Sequence, residues 1–283
     1  MRRLSLGLVL LAALLPALTA QKKPSVFVIT DAEGVAGICR QDQTETKNPE
    51  LQRLLTGEVN AAVRGFIRGG AGEVVVWDGH SNSSTLSVLT VDGAAKLVMG
   101  ALGPKMLLDR GFDAVAFLGQ HARAGRERAV MAHSYSSLGI QRLTMNGKEV
   151  GEIETRSALA GAFGIPVIFL SGDQAAADDL LAIVNNAEVA VVKEGLGYYS
   201  CISLPAAQAA ALIENKAAEA MRKLATIKPY RMDGPVEIIT EYSTRSTPSP
   251  ESALPAGVDR TGPRTIRIRG ANFMEAWTRW SSR

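Results

Sequence analysis

Apolar, strand-like runs alternate with segments of helical period for most of this chain. That alternation predicts an α/β fold: a central, mainly parallel or mixed sheet with helices on both faces, plus a smaller C-terminal lobe. Two further observations support it. Residues 51–68 place Leu54, Leu55, Val59, Ala62, Val63 and Ile67 at the spacing of an amphipathic helix. After Pro229 the texture changes, and a Ser/Thr/Pro-rich stretch over 243–256 interrupts the apolar runs.

Taken in order, residues 26–30 read as the first strand and 51–68 as the first helix. Residues 74–77 are the second strand, 95–98 a weaker one and 115–118 another. Asn146-Gly147 lies between 140–145 and the residues after Lys148. It signals a hairpin, because both residues tolerate positive φ. A helix over 152–163 is stopped by Gly164 and Pro166. A strand over 167–170, a helix over 173–184, a strand over 189–192 and an Ala-rich helix over 205–224 continue the alternation. Strands at 236–241 and 265–269 and a closing helix over 271–280 form the C-terminal lobe.

The N-terminus stands apart. Arg2 and Arg3 precede an uncharged apolar run over 4–15, then Pro16 and Ala17-Leu18-Thr19-Ala20. This is the layout of a secretory signal peptide, and the apolar run is shorter than the roughly 20 residues a membrane span needs. A retained anchor is the competing reading. We therefore expect a signal peptide over 1–20, an α/β domain over 21–232 and the C-terminal lobe over 233–283 packed on it. The protein is expected to be exported, periplasmic or secreted, with no integral membrane role after cleavage.

Removing the leader takes away two Arg and no acids, so the formal charge falls from +3 to +1. With no concentrated basic patch and 5% aromatic residues, nucleic-acid binding is disfavoured. Cys39 and Cys201 are 162 positions apart, which makes no disulfide framework. Each is read as a small buried residue, with Cys39 also a candidate soft metal ligand.

The chemistry concentrates where strands end. The chain has three histidines, and the carboxyl ends of strands are where open α/β sheets place their active sites. The first strand runs into Asp31-Ala32-Glu33-Gly34, the second into Asp78-Gly79-His80, and 115–118 into Gly119-Gln120-His121-Ala122-Arg123; His133 follows. Two carboxylates side by side repel unless a cation or proton separates them, which makes Asp31 and Glu33 a candidate cation site, with a solvated pair at a strand end as the competing reading. Gly34 is read as a sharp turn beside it. Asp78 is a candidate to hold the second nitrogen of His80, and Arg123 a candidate to bind a carboxylate or an oxyanion. Glu152 opens a helix, where acids are favoured anyway. Glu149 and Glu154 are its rivals on local grounds. Asp, Glu and His without a thiolate cluster suit zinc in an open, catalytic site, and five candidate ligands suit two ions. No role is read for Lys193, and Tyr198-Tyr199 are read as packing residues.

Asp31-Ala32-Glu33-Gly34, Asp78-Gly79-His80-Ser81, Gly119-Gln120-His121-Ala122-Arg123-Ala124, His133-Ser134 and the segment from Asn146 to Glu152 follow one another in a recognisable order. In order and spacing they resemble the zinc D-aminopeptidases of the DppA type, over roughly residues 25–280. The resemblance implies that Asp31, Glu33, His80, His121 and Glu152 hold two zinc ions, and that His133 is a catalytic histidine outside the ligand set. It implies release of N-terminal, D-configured residues from short peptides, by a homo-oligomer of ten subunits. Ile29 departs from the family's first motif, which commonly has Ser there, and the leader departs from a cytoplasmic location. The expectation is an exported zinc metallo-aminopeptidase working through a metal-activated water, with Asp31 as the bridging ligand. A two-metal amidase or phosphoesterase, and a non-catalytic metal- or peptide-binding protein, are the rival readings.

Overall fold

In the computed structural model, which describes residues 22–244 and 254–282, the chain begins with β1 (Ser25–Thr30), α1 (Pro49–Arg68), β2 (Glu73–Trp77), β3 (Ala95–Val98) and β4 (Ala114–Gln120). The hairpin β5 (Ile140–Met145) and β6 (Lys148–Glu149) leads into α2 (Glu152–Ala162). Then come β7 (Val167–Asp173), α3 (Gln174–Ile183), β8 (Glu188–Gly197), β9 (Ser200–Ser203) and α4 (Ala206–Lys223). The chain closes with β10 (Val236–Tyr242), β11 (Val258–Gly262), β12 (Thr265–Gly270) and α5 (Phe273–Ser281). The expected signal peptide and residues 245–253 of the Ser/Thr/Pro-rich stretch lie outside the described residues. Among those described, no helix is long and apolar enough to cross a membrane.

The larger sheet runs β3-β2-β1-β4-β7-β8-β9, parallel throughout except for the β8–β9 pair. β1 and β4 are buried along their whole length, as a parallel sheet covered on both faces requires. α1 packs on α4 over one face, and α2 packs on α3 over the other. Caps fix the helix starts. The Asn48 side chain accepts from Glu50 N ahead of Pro49, and Asp173 accepts from Ala176 N.

The smaller sheet is antiparallel, in the order β11-β12-β10-β5-β6. Its strands come from two distant parts of the chain, because β10 pairs with β5 (Ile238 opposite Met145). A cut at 232/233 therefore divides the chain but not this sheet. Asn146 (φ 49°) and Gly147 (φ 77°) make the expected turn between β5 and β6. α5 packs on β12 and β10, with Trp280 Nε1 donating to Thr240 Oγ1.

Two strands and one cross-link were not expected. β9 and β11 have no apolar run; each exists by pairing, with β8 and β12 respectively. The β8–β9 hairpin carries Cys201 to the loop after β1, where it forms a disulfide with Cys39 (Cα–Cα 6.0 Å). This corrects the reading of two unlinked, buried cysteines: both are half-buried and bonded to each other. Their separation of 162 residues carried no information on proximity, which the edge hairpin decides.

Candidate metal centre

The strand order reverses direction of growth at β1 and β4, and the crevice outside such a switch point is where open α/β sheets bind ligands. Asp31 and Glu33 leave β1, His80 follows β2 and His121 follows β4. Glu152 arrives from the first turn of α2, and His133 from the loop before β5. All but His121 line one polar cleft of about 510 Å³, together with Thr44, Glu45, Ser81, Tyr135, Leu138 and Arg156 among others.

The donors form two clusters. Asp31, Glu33 and His80 offer ligand atoms within 4.8 Å of one another, and so do His121, His133 and Glu152. Asp31 faces both: Oδ1 is 2.9 Å from His80 Nδ1, and Oδ2 is 3.6 Å from His121 Nε2. Glu33 is 3.5 Å from His80 Nδ1, and Glu152 is 3.7 Å from His121 Nε2. His121 Nε2, Glu33 Oε2 and Glu152 Oε2 are buried without a hydrogen-bond partner. Buried, unpartnered ligand atoms of these types in one cluster of carboxylates and imidazoles fit divalent metal ions.

Backbone carbonyls set the ring tautomers, since a carbonyl can only accept. His121 Nδ1 donates to Ala122 O (2.9 Å) and His133 Nδ1 to Met131 O (2.8 Å), leaving each Nε2 with its lone pair. His80 is turned the other way: Nε2 donates to Thr44 O (2.9 Å), so Nδ1 faces Asp31 and Glu33. The His121 and His133 rings stack with centroids 3.9 Å apart. Met131 and Tyr135, on either side of His133, both have positive φ (48° and 63°), a conformation non-glycine residues hold only where surroundings enforce it.

Electrostatics agree with a cation site. Burial pushes the Asp31 carboxyl up, yet the His80 hydrogen bond and the charges of His121, His80 and Arg156 hold it well below the usual range. Burial pulls His80 down, but its hydrogen bond to Asp31 and the charges of Asp31 and Glu33 lift it to about 11. A metal binding to these imidazoles would have to displace any proton held on the ligating nitrogen.

The loop carrying Asp31 and Glu33 is tied down from several sides. Gly34 packs so closely on β4 that an added Cβ would lie 2.1 Å from Gln120 O, so close approach, and not a sharp turn, demands glycine here. Lys193, on β8 and 2% exposed, donates its ammonium to the carbonyls of Glu33, Val35 and Ile38. Ala36 N donates to the buried Glu58 of α1, Gly37 N to Ser203 Oγ on β9, and Cys39 is bonded to Cys201.

Local reading left Glu149, Glu152 and Glu154 as rivals. Glu152 is in the cluster, while Glu149 pairs with Arg123 and Arg142, and Glu154 accepts from Gly151 N at the start of α2. Two assignments change. Asp78 makes no hydrogen bond to His80; its Oδ2 accepts from Thr85 N and Leu86 N, pinning the turn that carries the histidine. Arg123 does not line the metal cleft and turns to a separate pocket with Arg126 and Arg128. Tyr198 and Tyr199 are 42% and 56% exposed, not packed in the core. Sequence reasoning also missed Lys193, Tyr135 and Arg156. An arginine on the buried face of α2, four residues after Glu152, was the one available signal.

A D-aminopeptidase of Bacillus subtilis (strain 168) is 28% identical over 258 residues, covering 89% of this chain and 93% of the relative. Among solved structures, the "Zn-dependent D-aminopeptidase DppA from Bacillus subtilis, a self-compartmentalizing protease" matches with a TM-score of 0.83 and 27% identity. It covers 90% of this chain and 95% of that one. The profile of peptidase family M55, described as D-aminopeptidase, matches residues 25–281, and this chain belongs to that family.

Proposed function

We propose that this protein is an exported, zinc-dependent aminopeptidase that releases N-terminal D-amino acids from short peptides. One observation carries the chemistry: two donor clusters meet at Asp31, and His121 Nε2, Glu33 Oε2 and Glu152 Oε2 within them are buried without a partner. Asp31, Glu33, His80, His121 and Glu152 would hold two zinc ions in this reading, with Asp31 as the carboxylate that faces both clusters. Zinc bound there polarises the scissile carbonyl and brings a water's pKa down toward about 7. His133 is no ligand in this assignment. Its Nε2 keeps a lone pair at the cleft wall, and stacking on His121 fixes the ring, so it is placed to hold or pass a proton as the amine leaves. The D preference rests on the family and on the B. subtilis relative's name.

The Cys39–Cys201 disulfide supports export, because such bonds persist in oxidising compartments and are rare in the cytosol. It agrees with the leader-like residues 1–20. Assembly into a homo-oligomer, with ten subunits as the specific expectation, is supported by the self-compartmentalizing neighbour. The β8–β9 hairpin also exposes Leu196, Tyr198, Tyr199 and Ile202 together, an apolar surface of the kind subunits cover. Analytical ultracentrifugation of the mature protein tests this.

The decisive assay compares D-Ala amide with L-Ala amide after chelation and zinc add-back. Zinc-restored cleavage favouring the D substrate is expected. L preference would discard the stereochemistry and keep the aminopeptidase. Phosphate-ester cleavage alone, or peptide binding without product, would replace it.

A further inference from the structure

Arg156 is the unexplained group of the cleft. It lines the pocket on α2 and is only 8% exposed. Among the described residues no carboxylate lies within ion-pair distance of it, and its Nη1 is buried with no hydrogen-bond partner. A buried guanidinium with no carboxylate in direct contact is costly, even with the charge of Asp31 in the same cleft, and its rigid fork of N–H donors matches a carboxylate with two parallel hydrogen bonds.

The arginine is nonetheless held in place. Its Cζ lies 5.9 Å from the ring centre of Trp77 and 5.6 Å from that of Tyr135, so two aromatic rings carry the cation. Those rings are themselves fixed. Trp77 Nε1 donates to Gly100 O, the Tyr135 hydroxyl meets Thr155 Oγ1, and the Tyr135 ring lies 4.6 Å from that of Trp280 on α5. Each partner is also a near neighbour in sequence of a donor in the metal clusters. Trp77 is three residues before His80, Tyr135 two after His133, and Arg156 four after Glu152.

We propose that Arg156, seated between Trp77 and Tyr135, binds the C-terminal carboxylate of the substrate and selects short peptides with a free acid end. The assignment rests on the aminopeptidase reading above. Four residues of helix advance about 6 Å, and helical side chains lean back toward the N-terminus. The fork therefore sits beside the Glu152 cluster, about one or two residues' reach from it, at roughly 3.8 Å per residue. A peptide whose scissile bond is at the metals places its terminal carboxylate there when only one or two residues follow that bond. A C-terminal amide presents no charge to the fork, and a longer chain carries its carboxylate past it.

The test uses the zinc-loaded protein and a pair of non-cleavable probes: a D-Ala-D-Ala analogue with a reduced peptide bond, as the free acid and as the carboxamide. Calorimetry on the wild type is expected to show the acid binding about tenfold to a hundredfold more tightly. In Arg156→Gln and Arg156→Met, with zinc content and melting curve checked, that ratio should collapse toward one. The acid-to-amide ratio of kcat/KM on the cleavable dipeptides should follow it. Equal binding of the two probes by the wild type overturns the proposal, even if neither variant folds. So does a ratio that survives in a folded variant, since another group then holds the carboxylate. If neither dipeptide is cleaved, the aminopeptidase reading falls, while the calorimetric ratio still decides the role of Arg156.

Discussion

The two donor clusters are built differently. Asp31, Glu33 and His80 belong to the ends of adjacent parallel strands. Their loop is caged by Lys193, tied to Glu58 and Ser203, and cross-linked to β9 through Cys39. In the other cluster only His121 comes from a strand end. Glu152 is delivered by a hairpin that pairs into the second sheet, and His133 sits in a loop with left-handed backbone on either side. One cluster is a property of the large sheet, whereas the other exists only because two sheets meet. The difference teaches that the first half-site is pre-formed by the backbone and the second depends on how the lobes pack.

Asp31 is the residue the two halves share, so Asp31→Asn is expected to have the largest effect. In the metal-activated reading kcat/KM should fall by about three orders of magnitude or more. Zinc measured by mass spectrometry should drop in both sites. Loss of one ion only would mean that the halves are independent and that Asp31 does not bridge. His133→Ala comes next. If His133 moves protons, turnover should fall by roughly 10² to 10⁴ with zinc content near that of the wild type. Equal loss of zinc would make it a ligand of the second half-site, which the clustering of His121, His133 and Glu152 also permits.

The caging of the first half-site can be broken separately. Removing the cross-link with Cys39→Ser should lower unfolding free energy by roughly 2–4 kcal/mol in chemical denaturation. The loss should be felt at the Asp31 loop before it is felt at Glu152. Hydrogen exchange that rises first around α2 would show the second cluster to be the weaker part. The smallest effect concerns Glu58. Burial pushes its carboxyl up to about 7 from 4.5, against the hydrogen bond from Ala36 and the charge of Lys193. A raised folded pKa means the fold binds a proton that the unfolded chain has released. Stability therefore falls as pH climbs from about 4.5 to about 7, and stays lower above. Glu58→Gln should remove that slope and add roughly 2 kcal/mol above pH 7, as melting curves across pH would show.

Much of the large sheet was legible because its strands are unbroken apolar runs, and burial on both faces leaves no other reading for β1 or β4. The hairpin at Asn146-Gly147 was legible because its turn needs positive φ at both residues. β9 and β11 were not, since Ser-Cys-Ile-Ser and Val-Asp-Arg-Thr-Gly carry no pattern of their own and become strands through a partner. The donors at strand ends could be read from motif and position. Assigning Glu152 over Glu149 and Glu154 required the helix to be placed, because all three carboxylates suit the start of α2 equally on local grounds.

That Asp31, Glu33, His80 and His121 stand at or just after strand ends was legible in the sequence, whereas the order β2-β1-β4, which makes those ends neighbours, belongs to the fold. Local patterning also carried the alternation of strands and helices, since periodicity is a nearest-neighbour property. The Cys39–Cys201 bond, the Lys193 cage, the release of Asp78 and Arg123 from the roles expected of them, and the seat of Arg156 were decided by tertiary structure. Each depends on groups dozens of residues apart or on which way a side chain turns, and only the packed chain fixes those.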